Sequence, residues 1–213
     1  MGPAPTSRPT RGDARMRLLD AALSVVRAKG YAAASVEELC QAAGVTKGAF
    51  FHHFRSKDAL AVAAAEYWSE TTGALFADAP YHAHDDPLAR VLGYVDFRLE
   101  LIRGAPEKFT CLVGTMVQEV FQTSPAIRAA CEASITGHAA HLEADIAEAM
   151  RRHRVSGTWN AKSLALHTQA VLQGAFILAK ATGDPDAARD SVGHLRRYIA
   201  QLFNRPATKE RST

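Results

Sequence analysis

The feature that most constrains this chain is its apolar spacing. Alanine and leucine recur at three- and four-residue steps almost throughout, and strand-like alternation of apolar and polar residues is absent. A helix with 3.6 residues per turn gathers such positions onto one face, so the expected fold is all-α. Leu18, Leu19, Ala22, Val25 and Val26 share a face of a first helix over 15–29, and Gly30 stops it. Ser35 with Glu38 three positions later forms a capping box for a short helix over 35–43, ended by Gly44. Thr46 caps another short helix over 46–54, and Ser56 opens a long one reaching about residue 78. After a loop from Pro80 to Pro87, helices are expected at 86–103, 106–122, 125–154, 160–181 and 185–203, about nine in all. The breaks fall at Gly104-Ala105-Pro106, Ser124-Pro125, Ser156-Gly157 and Gly183-Asp184-Pro185.

Composition narrows the class further. With 213 residues, 47% hydrophobic and 22% charged, the chain suits a globular protein with a sizeable core. No apolar run reaches the roughly 18 residues of a membrane span, and the Pro- and Arg-rich start lacks the apolar region of a secretory signal. Residues 1–14 read as a disordered basic arm and 206–213 as a flexible tail. Cys40, Cys111 and Cys131 are odd in number and lack CxxC spacing, which suits reduced thiols in a cytoplasm. The net charge of +3 hides a split: residues 1–60 carry nine basic side chains against five acidic ones, and the remaining 153 carry sixteen against seventeen. Positive charge is therefore gathered where a polyanion would be met.

Two short helices joined at Gly44 match the helix-turn-helix unit, in which glycine supplies the backbone freedom of the turn. Val36, Leu39, Ala43, Val45 and Phe50 are spaced to pack the pair together. Thr46, Lys47, Gly48, Phe51 and His52 then face outward, and the unpaired N–H groups of a first helical turn beside a lysine suit a phosphate.

This stretch resembles the DNA-binding domain of the TetR family of bacterial transcriptional regulators. The matching residues are Leu18-Leu19-Asp20-Ala21-Ala22, Gly30-Tyr31, Ser35-Val36, Ala42-Ala43-Gly44-Val45, Lys47 through Phe54, and Ser56-Lys57. The resemblance implies a three-helix DNA-binding domain over 15–60 and a helical ligand-binding and dimerisation domain over 61–205. It makes the helix from Thr46 the recognition helix, with Ser35, Thr46, Lys47, Gly48, Phe51, His52 and Lys57 as the expected DNA-contacting set. Phe51 stands where the family usually has tyrosine, removing one hydroxyl contact to phosphate, and Cys40 where it usually has alanine. Arg8 and Arg11 read either as a minor-groove arm or as a solvated tail.

The rest of the chain is far more than DNA contact needs, and the resemblance assigns it a dimer interface and a small-molecule cavity. Val171, Gly174, Ala175 and Leu178 form one stripe and Val192, Leu195, Ile199 and Leu202 another, expected to pair with their mates in a homodimer. Tyr94, Phe97, Leu101, Cys111, Met116, Gln118, His138, His141, Trp159, His167 and Phe176 are the cavity candidates. Together these imply a repressor that binds a palindromic double-stranded operator and is released by a small organic effector. An alternative makes Cys111, one turn after Lys108, an electrophile- or redox-sensing thiol. An enzyme using Cys111, His141 or His167 is a third reading, but the chain has no G-x-S-x-G, P-loop, H-E-x-x-H or G-x-G-x-x-G motif. His82, His84, Asp85 and Asp86 share one loop without a second ligand cluster, and His138 with His141 lack a third ligand. No metal, cofactor or membrane partner is expected.

Overall fold

Polar caps decide where several of the helices begin. The Ser35 hydroxyl accepts the Glu38 N–H at 3.2 Å while the Glu38 carboxylate accepts the Ser35 N–H at 3.0 Å. Thr46 and Ser56 each accept an N–H three residues on, from Ala49 and Ala59, both at 3.1 Å. Gly44 closes its helix in the left-handed conformation, φ 61° and ψ 41°, which glycine adopts without a Cβ penalty.

The computed structural model describes residues 11–204. Ten α-helices run in order among the described residues: α1 (Arg11–Lys29), α2 (Val36–Ala43), α3 (Lys47–His53), α4 (Lys57–Ala77), α5 (Pro87–Leu101), α6 (Pro106–Phe109), α7 (Leu112–Val120), α8 (Pro125–Arg152), α9 (Ala161–Thr182) and α10 (Pro185–Asn204). A 3-10 turn over Pro80–Ala83 lies within the expected loop, and no strand occurs among the described residues. Residues 1–10 and 205–213, including Arg8 and the expected tail, lie outside the described residues.

Two expectations change. The first helix starts at Arg11, so residues 11–14 extend it instead of belonging to the arm. The helix expected over 106–122 is two helices, because Thr110 and Cys111 are extended, with ψ 158° and 126°. Thr110 is buried, and the Cys111 sulfur accepts the Gly114 N–H at 3.4 Å. A thiol thus takes the capping role a hydroxyl usually fills, and α7 starts afresh behind it.

Apolar side chains gather in two clusters. The first joins α1 to α4 through Leu18, Leu19, Leu39, Phe50 and Leu60, and continues into Leu112, Met116 and Ile127 of α7 and α8. The second, around Val91, Ile146, Leu172, Val192 and Ile199, holds α5, α8, α9 and α10 together. Cys111 packs against both. The boundary expected at residue 60 therefore crosses a continuous core, in which α7 packs against the helices of the helix-turn-helix unit.

Candidate functional site

The third helix has two unlike faces. Inward, Phe50 is fully buried, edge-on to Phe51 with centroids 5.2 Å apart and 6.1 Å from Phe54. Outward, Thr46, Lys47, Gly48, Phe51 and His52 are all exposed, and the Phe51 ring keeps 55% of its surface in water. Lys47 pairs with Glu37 of α2, holding that carboxyl below its usual range, chiefly through the hydrogen bond from the lysine. Both partners are more than half exposed, so the pair stabilises the fold little and a phosphate can replace the carboxylate.

Two members of the expected DNA-contacting set also make contacts within the domain. The Ser35 hydroxyl is the α2 cap described above. The Lys57 ammonium donates to the carbonyls of Tyr31 at 3.1 Å and Ala34 at 3.0 Å and lies 4.2 Å from the centre of the Tyr31 ring. Lys57 therefore ties the start of α4 to the α1–α2 connection.

That connection is also held from behind. Glu119 of α7 accepts the N–H of Tyr31 at 3.0 Å and of Ala32 at 2.6 Å. Gly30, at φ 93°, makes room for it: a Cβ there would stand 2.5 Å from the carboxylate oxygen. The Tyr31 hydroxyl donates to Asp58 at 2.5 Å, and the other Asp58 oxygen accepts from Ser124 at 3.0 Å. Burial, then the bond to Asp58, raises the Tyr31 phenol well above its ordinary value. No short-range pattern marks Glu119, Asp58 or Ser124, since their partners lie 88, 27 and 66 positions away.

Between α4, α5, α8 and α9 lies a cavity with two lobes, of about 210 and 390 Å³, that share Gly73, His138 and His141. Trp68, Leu172 and Phe176 line the smaller lobe and Phe76, Tyr81 and Leu142 the larger. A polar cluster stands where they meet. Arg98 donates through Nε to the Tyr94 hydroxyl at 3.0 Å and through Nη2 to His138 Nε2 at 2.8 Å. Gln169 donates to the same hydroxyl at 3.2 Å, and the hydroxyl lies 2.9 Å from His138 Nε2. The guanidinium carbon sits 4.1 Å from the centre of the Phe76 ring. Burial, reinforced by the charges of Arg98 and His141, pulls His138 down to about 3, so its ring is neutral and Nε2 accepts.

Of the cavity candidates, Tyr94, Cys111, His138, His141 and Phe176 line this cavity. The other candidates do not. Met116 is fully buried in the first core cluster, while Phe97 and Leu101 pack against the second. Trp159 meets Phe203 edge-on at 5.7 Å, and exposed His167 meets Tyr198 at 5.4 Å on the outer side of α9 and α10. Gln118 lines a separate groove with Cys111 and Lys180. Lys108, expected to favour a Cys111 thiolate, is exposed; Lys180 is the cation lining the Cys111 groove. Arg98 and Gln169 were not anticipated, because on an amphipathic helix such residues read as solvent-facing. Among the described residues no group of three or more His, Cys, Asp or Glu side chains could hold a metal ion. Nor is any described helix long and apolar enough to cross a membrane.

The stripes expected at the dimer interface also divide. Ala175, Val192, Leu195 and Ile199 are at most 3% exposed within one protomer. They close α9 and α10 onto their own core and have no surface left for a partner. Val171 and Leu202 are half-buried against the same core. Leu178 is exposed, in company with Leu166, Ile177 and Tyr198, each between 41% and 49%.

Residues 18–64 match the family profile described as bacterial regulatory proteins, tetR family, and residues 87–195 match tetracyclin repressor-like, C-terminal domain. The transcriptional regulator AcuR of Cereibacter sphaeroides is 31% identical over 126 residues, 59% of this chain and 58% of AcuR, so the match spans under two thirds of that relative. The HTH-type transcriptional repressor NemR of Escherichia coli is 24% identical over 191 residues, 90% of this chain and 96% of NemR. The crystal structure of reduced E. coli NemR superimposes with a TM-score of 0.72 at 23% identity, covering 86% of this chain and 96% of that one. A TetR family regulator from Agrobacterium tumefaciens gives 0.79 at 20% identity, covering 89% and 99%. These relatives are transcriptional regulators.

Proposed function

This chain belongs to the TetR family of bacterial regulatory proteins, and from that premise we propose that it is a homodimeric repressor, released from a palindromic operator by a small organic effector. The observation that carries the reading is the division of α3: Phe50 locks it to the core while Thr46, Lys47, Gly48, Phe51 and His52 stand exposed along its start. Gly48 carries no side chain that would keep the helix from a groove wall. Two copies related by a two-fold axis would enter successive major grooves about 34–36 Å apart. The exposed apolar side chains of Leu166, Ile177, Leu178 and Tyr198 are the surface through which we pair the subunits.

Release follows from the connection at Glu119. An effector in the cavity presses on Cys111 and α7, which carries Glu119, and Glu119 holds the backbone leading into α2. A shift of α7 would re-aim the two recognition helices, and DNA and effector affinities would be coupled reciprocally. Footprinting of the full chain on its own upstream DNA tests the reading. A protected palindrome carrying two subunits is expected; protection of a site without two-fold symmetry, or by a monomer, would sink it.

A second reading has one observation in its favour. The Cys111 sulfur caps α7 and lines both the smaller lobe and the groove holding Lys180, so alkylation or oxidation there would remove the cap. Burial raises the Cys131 thiol to about 12 and also raises Cys40, which leaves both as poor nucleophiles. Iodoacetamide should therefore label Cys111 first, and labelling should weaken operator binding in the wild type but not in Cys111→Ser. Equal binding before and after labelling would refute the thiol sensor.

A further inference from the structure

The polar cluster at the junction of the two lobes has more donors than acceptors. Arg98 offers five N–H groups, Gln169 two and Tyr94 one. Facing them are the Tyr94 oxygen, the Gln169 side-chain carbonyl and a single lone pair on neutral His138, onto which both Arg98 Nη2 and the Tyr94 hydroxyl converge at 2.8 and 2.9 Å. Charge is unbalanced in the same sense. Arg90, Arg151, Arg189 and Arg196 each pair with a carboxylate, whereas Arg98 has no carboxylate within ion-pair distance among the described residues. Asp145, the acidic side chain lining the larger lobe, is already bound by Arg90 at 2.8 Å. A half-buried guanidinium without a counter-ion is unfavourable unless something supplies one.

Resting on the reading of this cavity as the effector site, we propose that the effector is an organic monocarboxylate. Its carboxylate accepts from Arg98 and Gln169 at the junction, and its apolar body lies in the larger lobe against Phe76, Tyr81 and Leu142. His138 acts as a positioning residue. By accepting one Arg98 N–H, and with Phe76 beneath the guanidinium, it fixes the plane of the fork that a carboxylate meets with paired hydrogen bonds. A cationic ligand would be repelled by Arg98. A neutral one would leave the donors short of acceptors. The lobe of about 390 Å³ falls in the range of small-ligand sites and suits a compact tail of aryl or medium-chain alkyl character.

The test uses the full chain and matched pairs that differ only in charge: octanoate with octanamide, and 3-phenylpropionate with 3-phenylpropanamide. Isothermal titration should give at least one acid that binds about tenfold or more tightly than its amide. Arg98→Gln should erase that preference, and Arg98→Lys should restore part of it. The acid–amide comparison is made on the wild type, so it stands even if Arg98→Gln does not fold. Amides that bind as well as their acids, acids that do not bind, or a folded Arg98→Gln with unchanged acid affinity would each overturn the proposal. The same titrations with operator DNA present separate it from the reading beneath it. An acid that binds without weakening DNA binding would contradict the effector role and leave the anion site standing. An amide that binds equally and releases DNA would do the reverse.

Discussion

At Phe51 an aromatic ring stands 55% exposed on the outer face of α3, where it contributes nothing to a core beyond its edge contact with Phe50. The resemblance implies that the tyrosine usual at this position meets a phosphate through its hydroxyl, which this chain lacks. Restoring it in Phe51→Tyr is expected to tighten operator binding by roughly tenfold or more, as one hydrogen bond to a charged group would. Unfolding free energy should move by no more than about 0.5 kcal/mol, as for an exposed site. Anisotropy titration and urea melts read the two effects separately. His138 carries a pH signature. In the fold it stays neutral down to about pH 3, whereas an unfolded histidine protonates near 6.5. The unfolded chain binds more protons between those values, so this stabilisation is present above pH 6.5 and is lost as pH falls toward 3. His138→Gln should therefore lose less stability than the wild type between about pH 7 and pH 5; an equal loss would contradict the assignment.

The outer and inner faces of α9 and α10 make different predictions. Leu178→Glu places a charge on the exposed side of α9 and is expected to yield a folded monomer by sedimentation, with little change in melting temperature. Leu195→Ala opens the protomer's own core and should cost about 2–5 kcal/mol of stability while leaving the subunit contact intact. Local features of these elements were legible in the sequence, because caps at Ser35, Thr46 and Ser56 and the turn at Gly44 depend only on residues three or four positions away. The stripe on α10 was legible as buried. What buries it was not, since an apolar face records that something covers it but not whether that cover is its own chain or a second copy. The break at Cys111 was missed for a related reason: cysteine is a rare cap, and spacing alone carried the expected helix across Thr110.

Across the whole molecule, the proposed function rests on contacts that join distant positions. Glu119 reaches Tyr31 over 88 residues and Arg98 reaches His138 over 40. Neither pair leaves a periodic trace, so the exposed face of α3 could be read from the sequence while the cavity and its link to α2 needed the fold. The charge split falls into place on the same scale. The basic excess lies in the first sixty residues with α3, and the near-neutral remainder encloses the cavity.

The most direct test of the account is an anisotropy titration of the full chain with a labelled duplex from its own upstream region, beside a scrambled duplex of equal length. Raising salt from about 50 to about 200 mM should weaken binding steeply, with a log–log linear slope set by the phosphates contacted. The upstream duplex should bind by orders of magnitude more tightly, and Lys47→Ala should flatten the slope without unfolding the protein. No binding at low salt, binding indifferent to salt, or equal affinity for the scrambled duplex would contradict the assignment of α3 as a DNA reader.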